Sequence, residues 1–277
     1  MEELLETRST TVNGMSARWV EHGTGRPVVL VHGIPTSSRL WRHVMPLVDG
    51  RTLAWEMPGY GSIIPDGRDR DLRLSAQAGY LLEWIESLDL KEPPVLVGHD
   101  LGGGVAQIAA VRATERFAGL VLTNSVCYDS WPIPSLKAMQ RVAPVLAFLP
   151  QVLMYPTFVQ LIHRGHDDRN IALASLAEHW GPYVSHGAAR SMMRQVAALH
   201  VQDTLDISDR LVGLNLPARV VWGEADAFQK VRYGERLAAD LGAELTRIPG
   251  GKHFTPEDHP QDIADAINSL LTGARKD

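Results

Sequence analysis

The stretch Val95-Leu96-Val97-Gly98-His99-Asp100-Leu101-Gly102-Gly103-Gly104 leaves this chain the fewest ways to fold. An apolar, β-rich run enters a glycine-flanked turn, and helical composition begins near Gly103. Small residues at 98 and 102 let the backbone turn sharply with neighbouring segments close by, which exposes the side chain of Asp100 at the tip. Taken alone, the same stretch also reads as a glycine-rich strand–helix connection with Asp100 as N-cap.

The rest of the chain supplies a setting for that turn. Thr10–Val12 and Ala17–Glu21 flank Asn13-Gly14, a hairpin dipeptide. Pro27–His32 is a continuous apolar run ending in histidine, as expected of a strand buried on both faces. Thr52–Glu56, Val95–Gly98, Gly119–Thr123, Arg219–Trp222 and Glu244–Ile248 read as further strands. Between them, Ala76–Leu88, Gly103–Ala113, Gln229–Leu241 and Gln261–Leu271 have helical composition and spacing. This alternation predicts βαβ units and a mostly parallel sheet. It breaks between Cys127 and about Asn215, an apolar, proline-punctuated segment without a convincing strand. The expected organisation is a core of residues 1–126 and 216–277 with a helical cap, 127–215, over the carboxyl ends of the strands.

Three more elements suit the turn at Asp100. His32-Gly33-Ile34-Pro35 follows a buried strand, so the backbone N–H groups of Ile34 and Leu101 can point at one developing negative charge. Val221-Trp222-Gly223-Glu224-Ala225-Asp226 ends a strand on an acid, with Glu224 competing with Asp226. Pro249-Gly250-Gly251-Lys252-His253-Phe254 places a histidine in a glycine-rich turn after the last strand. A carboxylate that orients an imidazole, and an imidazole that activates water, complete a triad.

In this order of nucleophile, acid and base the chain resembles the α/β-hydrolase superfamily over nearly its whole length. The resemblance implies an eight-stranded, mostly parallel sheet flanked by helices, with the cap inserted after the sixth strand. It assigns Asp100 as nucleophile, Asp226 as acid and His253 as base, with Trp-Gly-x-x-Asp favouring Asp226 over Glu224. A carboxylate at this elbow suits displacement at an sp³ carbon, giving an alkyl ester that water then cleaves. Epoxide hydrolases and haloalkane or fluoroacetate dehalogenases share that feature.

Leu101 and Ile34 stand where haloalkane dehalogenases often carry tryptophan and asparagine to hold the halide, and Leu101 also replaces the arginine of fluoroacetate dehalogenases. An epoxide hydrolase producing a diol is therefore the leading expectation. Epoxide opening needs an acid from the cap, for which Tyr128, Tyr155 and Tyr183 are candidates, with His179 and Trp180 as further cap contacts. His179 lies four residues before Tyr183, on a common helix face. The alternatives are a haloalkane dehalogenase with a halide site at Trp180 or Trp131, an ester or lactone hydrolase, and a hydrolase-like binding protein. The expected substrate is small and hydrophobic, with water as co-substrate.

Composition narrows the remaining classes. A net charge of −5 without a basic run disfavours nucleic acid. A single cysteine, Cys127, excludes an intramolecular disulfide framework and a cysteine-cluster zinc site. His163, His166, Asp167 and Asp168 have metal-like residue types but read as a polar turn, and the triad chemistry needs neither metal nor cofactor. The acidic N-terminus lacks signal-peptide character, and Val142–Ile162 is interrupted by Pro144, Gln151, Pro156 and Gln160. The expectation is a cytoplasmic monomer or homodimer without a membrane partner.

Overall fold

Asn13 and Gly14, at φ 48° and 74°, close the turn between β1 (Glu6–Val12) and β2 (Met15–His22). The structure is a computed structural model and describes residues 5–273. Six further strands follow: β3 (Pro27–Val31), β4 (Arg51–Glu56), β5 (Val95–His99), β6 (Gly119–Thr123), β7 (Ala218–Gly223) and β8 (Glu244–Ile248). They form one sheet in the order β1-β2-β4-β3-β5-β6-β7-β8. Only the β1–β2 and β2–β4 pairs are antiparallel. The strand order reverses between β3 and β5, so the crevice beyond their carboxyl ends is the expected place for a site.

The central strands are apolar throughout because both faces are covered, and their alternate residues serve different layers. Val29, Val31, Leu96, Leu120 and Leu122 face α1 (Leu74–Ser87), α2 (Leu101–Arg112) and a later helix spanning Val231–Leu241. Val28, Leu30, Val95, Val97 and Val121 face the opposite layer, where Ile263 and Ile267 of a helix spanning Pro260–Gly273 pack.

Between β6 and β7 lie only helices: α3 (Pro134–Leu146), α4 (Gln151–Gly165), α5 (Arg169–His186), α6 (Ala188–Ala197), α7 (Gln202–Leu205) and α8 (Ser208–Leu211). Within residues 127–215, Cys127, Tyr128, Trp131, Leu199, Ile207 and Leu211 pack in one cluster with Val29 and Leu96, and Met154, Phe158, Ile162, Met192 and Val196 pack in the other with Val28 and Leu30. We use lid for α3–α6, of which α3, α4 and α6 line a cavity next to Asp100. Beyond β7 come α9 (Val231–Leu241), α10 (Thr255–Asp258) and α11 (Pro260–Gly273).

The lid is tied to the core by polar anchors as well as packing. Gly165, ending α4, accepts hydrogen bonds from the N–H groups of His253 and Phe254 at 2.9 and 3.0 Å. Glu257 of α10 is buried against Arg42, with His166 Nε2 at 2.8 Å and His179 Nε2 at 3.5 Å. Burial alone would raise the Glu257 pKa; the two histidines and the Arg42 guanidinium hold it well below the usual carboxylate range. Among the described residues, no helix is long and apolar enough to cross a membrane.

Candidate active site

Asp100 sits between β5 and α2 at φ 51°, ψ −122°, a backbone conformation costly for any residue with a Cβ. The turn closes only because its neighbours are small. A Cβ on Gly98 would lie 2.5 Å from the Gly102 carbonyl oxygen, and one on Gly102 would collide with the carbonyls of Val31 and His32. This strained elbow aims the carboxylate at the crevice between β3 and β5.

The two oxygens of Asp100 have different surroundings. Oδ2 accepts the Ile34 N–H at 2.9 Å, and the Leu101 N–H also bonds to this carboxylate. Oδ1 lies 3.8 Å from His253 Nε2, too far for a hydrogen bond. Burial pushes the Asp100 pKa up, and the His253 charge with the two backbone donors offsets this only in part.

His253 is held from its other side. Its Nδ1–H donates to Asp226 Oδ2 at 2.8 Å, which leaves Nε2 directed at Asp100. Burial disfavours charge on the imidazole, but Asp226 and Asp100 together hold its pKa above the ordinary histidine value. Asp226 is itself buried, which alone would raise its pKa. His253, the Asn124 amide and the Gln229 N–H lower it below the usual value. Glu224, the competing acid, is exposed and lies 3.5 Å from Arg247.

Two supports of the Asp100, His253 and Asp226 cluster escape the sequence pattern. Asn124, at φ 40° just past β6, donates its amide to Asp226 Oδ2 at 2.7 Å. His99, one residue before Asp100, donates Nε2–H to the His253 carbonyl at 2.9 Å, its ring 4.8 Å from the His253 ring. Burial and the neighbouring His253 push the His99 pKa down to about 3, so it remains a neutral brace. The glycine-and-Asp100 pattern drew attention past His99, and an asparagine after a strand carries no signal of its own.

A cavity of about 230 Å³ opens above Asp100 and His253. Its walls include Trp131, Leu136, Met139, Met192 and Phe228, so it suits an apolar ligand. Of its polar lining, Gln229 is 3% exposed and its side-chain carbonyl has no hydrogen-bond partner.

None of the cap candidates Tyr128, Tyr155, His179, Trp180 and Tyr183 lines this cavity. Tyr128 packs in the sheet core and donates its hydroxyl to Asp240 at 2.6 Å. Tyr155 is half out in solvent and packs at a tilt against Trp180, whose ring also lies against Phe158 and Tyr183. His179 bonds to Ser37 at 3.2 Å beside Glu257. Tyr183 donates to Gln195 Oε1 at 2.7 Å and reaches the cavity wall only through that residue. The face of α5 shared by His179 and Tyr183 is buried, but it turns to the core and to α6 rather than to the cavity. Trp131 lines the cavity, yet its indole N–H is committed to Thr204 at 2.8 Å.

Comparison with known proteins places this geometry in context. Residues 28–266 match the alpha/beta hydrolase family. "Haloalkane dehalogenase 2" of Mycobacterium bovis is 31% identical over 264 residues, covering 90% of this chain and 89% of its own. An alpha/beta hydrolase fold protein from Burkholderia ambifaria superposes with a TM-score of 0.85 at 24% identity, covering 97% of this chain and all of its own. The unliganded epoxide hydrolase CorEH superposes with a TM-score of 0.77 at 21% identity, over 98% of this chain and all of its own.

Proposed function

The chain belongs to the alpha/beta hydrolase family, and from that premise we propose that it hydrolyses small apolar haloalkanes through an alkyl ester on Asp100. The observation that carries this reading is the unequal setting of the two Asp100 oxygens. Oδ1, out of hydrogen-bond reach of His253, is the oxygen assigned to attack. Oδ2 already rests against the Ile34 N–H that will stabilise it later.

In the first step Oδ1 attacks the sp³ carbon, the carbon–halogen bond breaks with its electron pair, and halide leaves. In the second step water attacks Cγ of Asp100 while His253 Nε2 takes its proton. Negative charge then develops on Oδ2, against the Ile34 and Leu101 N–H groups. Collapse of that intermediate expels the alcohol oxygen, which takes the proton back from His253, and Asp100 is restored. The balance is haloalkane plus water to alcohol, halide and a proton. Asp226 stabilises the imidazolium between the two proton transfers.

The choice of leaving group rests on what lines the cavity. A halide departs without a proton, whereas the alkoxide of an opened epoxide needs one. No tyrosine lines the cavity among the described residues, whereas Gln229 does, and its side-chain NH2 group, the donor a halide needs, makes no hydrogen bond among the described residues. The 31% identical dehalogenase relative is consistent with this choice. Epoxide hydrolysis is the second reading, favoured by Leu101 and Ile34, whose side chains give a halide no donor.

Intact-protein mass spectrometry of His253→Gln, incubated separately with short bromoalkanes and aliphatic epoxides, tests this. Without its base the enzyme should accumulate the ester. An adduct equal to substrate minus hydrogen halide, mapped to Asp100, is the expected result. An adduct of whole-epoxide mass transfers the assignment to epoxide chemistry. No adduct from either class, alongside ester cleavage by the wild type, overturns the alkyl-ester mechanism.

A further inference from the structure

The lid carries a surface that the chemistry at Asp100 does not use. Where α3 turns into α4, Val145, Phe148, Val152 and Leu153 are 73%, 77%, 69% and 57% exposed. Apolar exposure gathered at one helical hairpin differs from the scattered surface leucines of ordinary proteins and marks an interaction surface. Beside the tip lies a second cavity of about 650 Å³, lined by Phe148 together with Arg68, Arg190 and Arg194. The Arg190 guanidinium sits 5.6 Å over the Phe148 ring, so the apolar tip and the basic cavity are continuous.

These arginines are not closely paired. None of the three forms an ion pair among the described residues, and Arg194 has only a 3.4 Å hydrogen bond to the Ile64 carbonyl. Burial and the positive charge of Arg68 both push the Arg194 pKa down, and the charge of Asp69 offsets them only in part. Residues 134–197 hold six Lys and Arg against three Asp and Glu, in a chain whose net charge is −5. The basic character is local to the lid.

We propose that the α3–α4 tip docks on an anionic phospholipid surface, with its apolar side chains at the headgroup–acyl boundary and Arg68, Arg190 and Arg194 meeting phosphates. A soluble phosphate compound would use the arginines and leave the apolar tip in water. A second copy of the chain would cover the tip, but a two-fold contact there would bring two unneutralised arginine clusters together. An anionic bilayer satisfies both features at once. A surface contact needs no spanning helix, so it differs from the sequence expectation of no membrane partner without requiring a transmembrane segment. α3 and α4 also contribute Leu136, Met139 and Leu161 to the cavity above Asp100, which puts the docking hairpin beside a site suited to lipophilic substrates. The docking stands independently of the reaction at Asp100.

Co-sedimentation of the full chain with vesicles tests the proposal. One set contains equal parts phosphatidylcholine and phosphatidylglycerol, and the other contains phosphatidylcholine alone. The protein should pellet with the anionic vesicles at low ionic strength and be released by salt. Phe148→Asp, and separately the double variant Arg68→Glu with Arg190→Glu, should each weaken partitioning by about tenfold. All three residues are exposed, so both variants should keep the wild-type melting temperature. Failure to pellet with any vesicle overturns the proposal, as does binding that neither variant weakens. A concentration-dependent dimer dispersed by Phe148→Asp, without vesicle binding, assigns the face to a second copy. Full competition by inorganic phosphate, with no effect of Phe148→Asp, reduces it to a soluble-anion site.

Discussion

Asn124 donates its side-chain amide to Oδ2 of Asp226 at 2.7 Å, the same carboxylate oxygen that receives the His253 Nδ1–H. Oδ1 of that carboxylate is occupied by the N–H groups of Phe228 and Gln229, at 2.6 and 3.0 Å. The orienting acid is therefore fixed on both oxygens, and the imidazole it holds has little freedom to rotate. Asp226→Asn should keep this shape but place the wrong hydrogen-bonding group against Nδ1. The hydrolysis step should slow by about 10³–10⁴-fold, with alkylation much less affected. Asn124→Ala leaves a buried carboxylate short of a donor and puts alanine at positive φ, for a loss of about 2 kcal/mol in denaturant titration.

The two chemical steps should respond to pH through different groups. In the proposed mechanism Asp100 attacks only when ionised, and its pKa is raised, so alkylation should fade as pH falls through a value above the ordinary 3.8. His253 acts as base only when neutral, and its pKa is also raised, so hydrolysis is lost as pH falls through a value above 6.5. Single-turnover measurements separate the two limbs. In His253→Gln the upper limb should vanish while the Asp100 limb remains. A hydrolysis step unchanged from neutral pH to well below about 6.5 would contradict the assignment of His253.

Strain at the elbow predicts a trade between stability and activity. Asp100 holds a positive φ and a fully buried carboxylate, both of which cost free energy in the folded state. Asp100→Gly removes both and should raise unfolding free energy by about 1–2 kcal/mol while abolishing turnover. A destabilised Asp100→Gly variant would mean that the hydrogen bonds from Ile34 and Leu101 outweigh the strain.

Gln229 is the residue to probe for the leaving group. Its side chain lines the cavity beside His253, and its NH2 group, the donor for a halide, has no partner among the described residues. Gln229→Leu removes the amide while keeping much of the volume. Under the haloalkane reading, stopped-flow alkylation should slow by roughly 10–100-fold, the worth of a hydrogen bond to a charged group. Hydrolysis of the ester already formed should change little, because the halide has left by then. Equal slowing of both steps would place Gln229 in the support of His253 instead.

The elements that rest on neighbouring residues were legible along the chain. The Asn13-Gly14 hairpin, the apolar strands and the glycine-flanked turn at Asp100 follow from backbone preference and side-chain period, which act over a few residues. Asp100, Asp226 and His253 could be grouped from the sequence because each lies in the loop that follows a strand, and strand ends in a parallel sheet meet along one edge. Where each side chain finally points was a matter of packing between distant segments. Asn124 meets Asp226 across 102 positions, and Glu257 gathers Arg42, His166 and His179 from three separate elements. Tyr183 illustrates the same limit: helical period places it on one face of α5 with His179, but only the docking of α5 on α6 turns its hydroxyl to Gln195. Local sequence specifies which face of an element is buried. Which partner it is buried against depends on the simultaneous placement of every other element, and in this molecule that placement emptied the cavity of tyrosine hydroxyls.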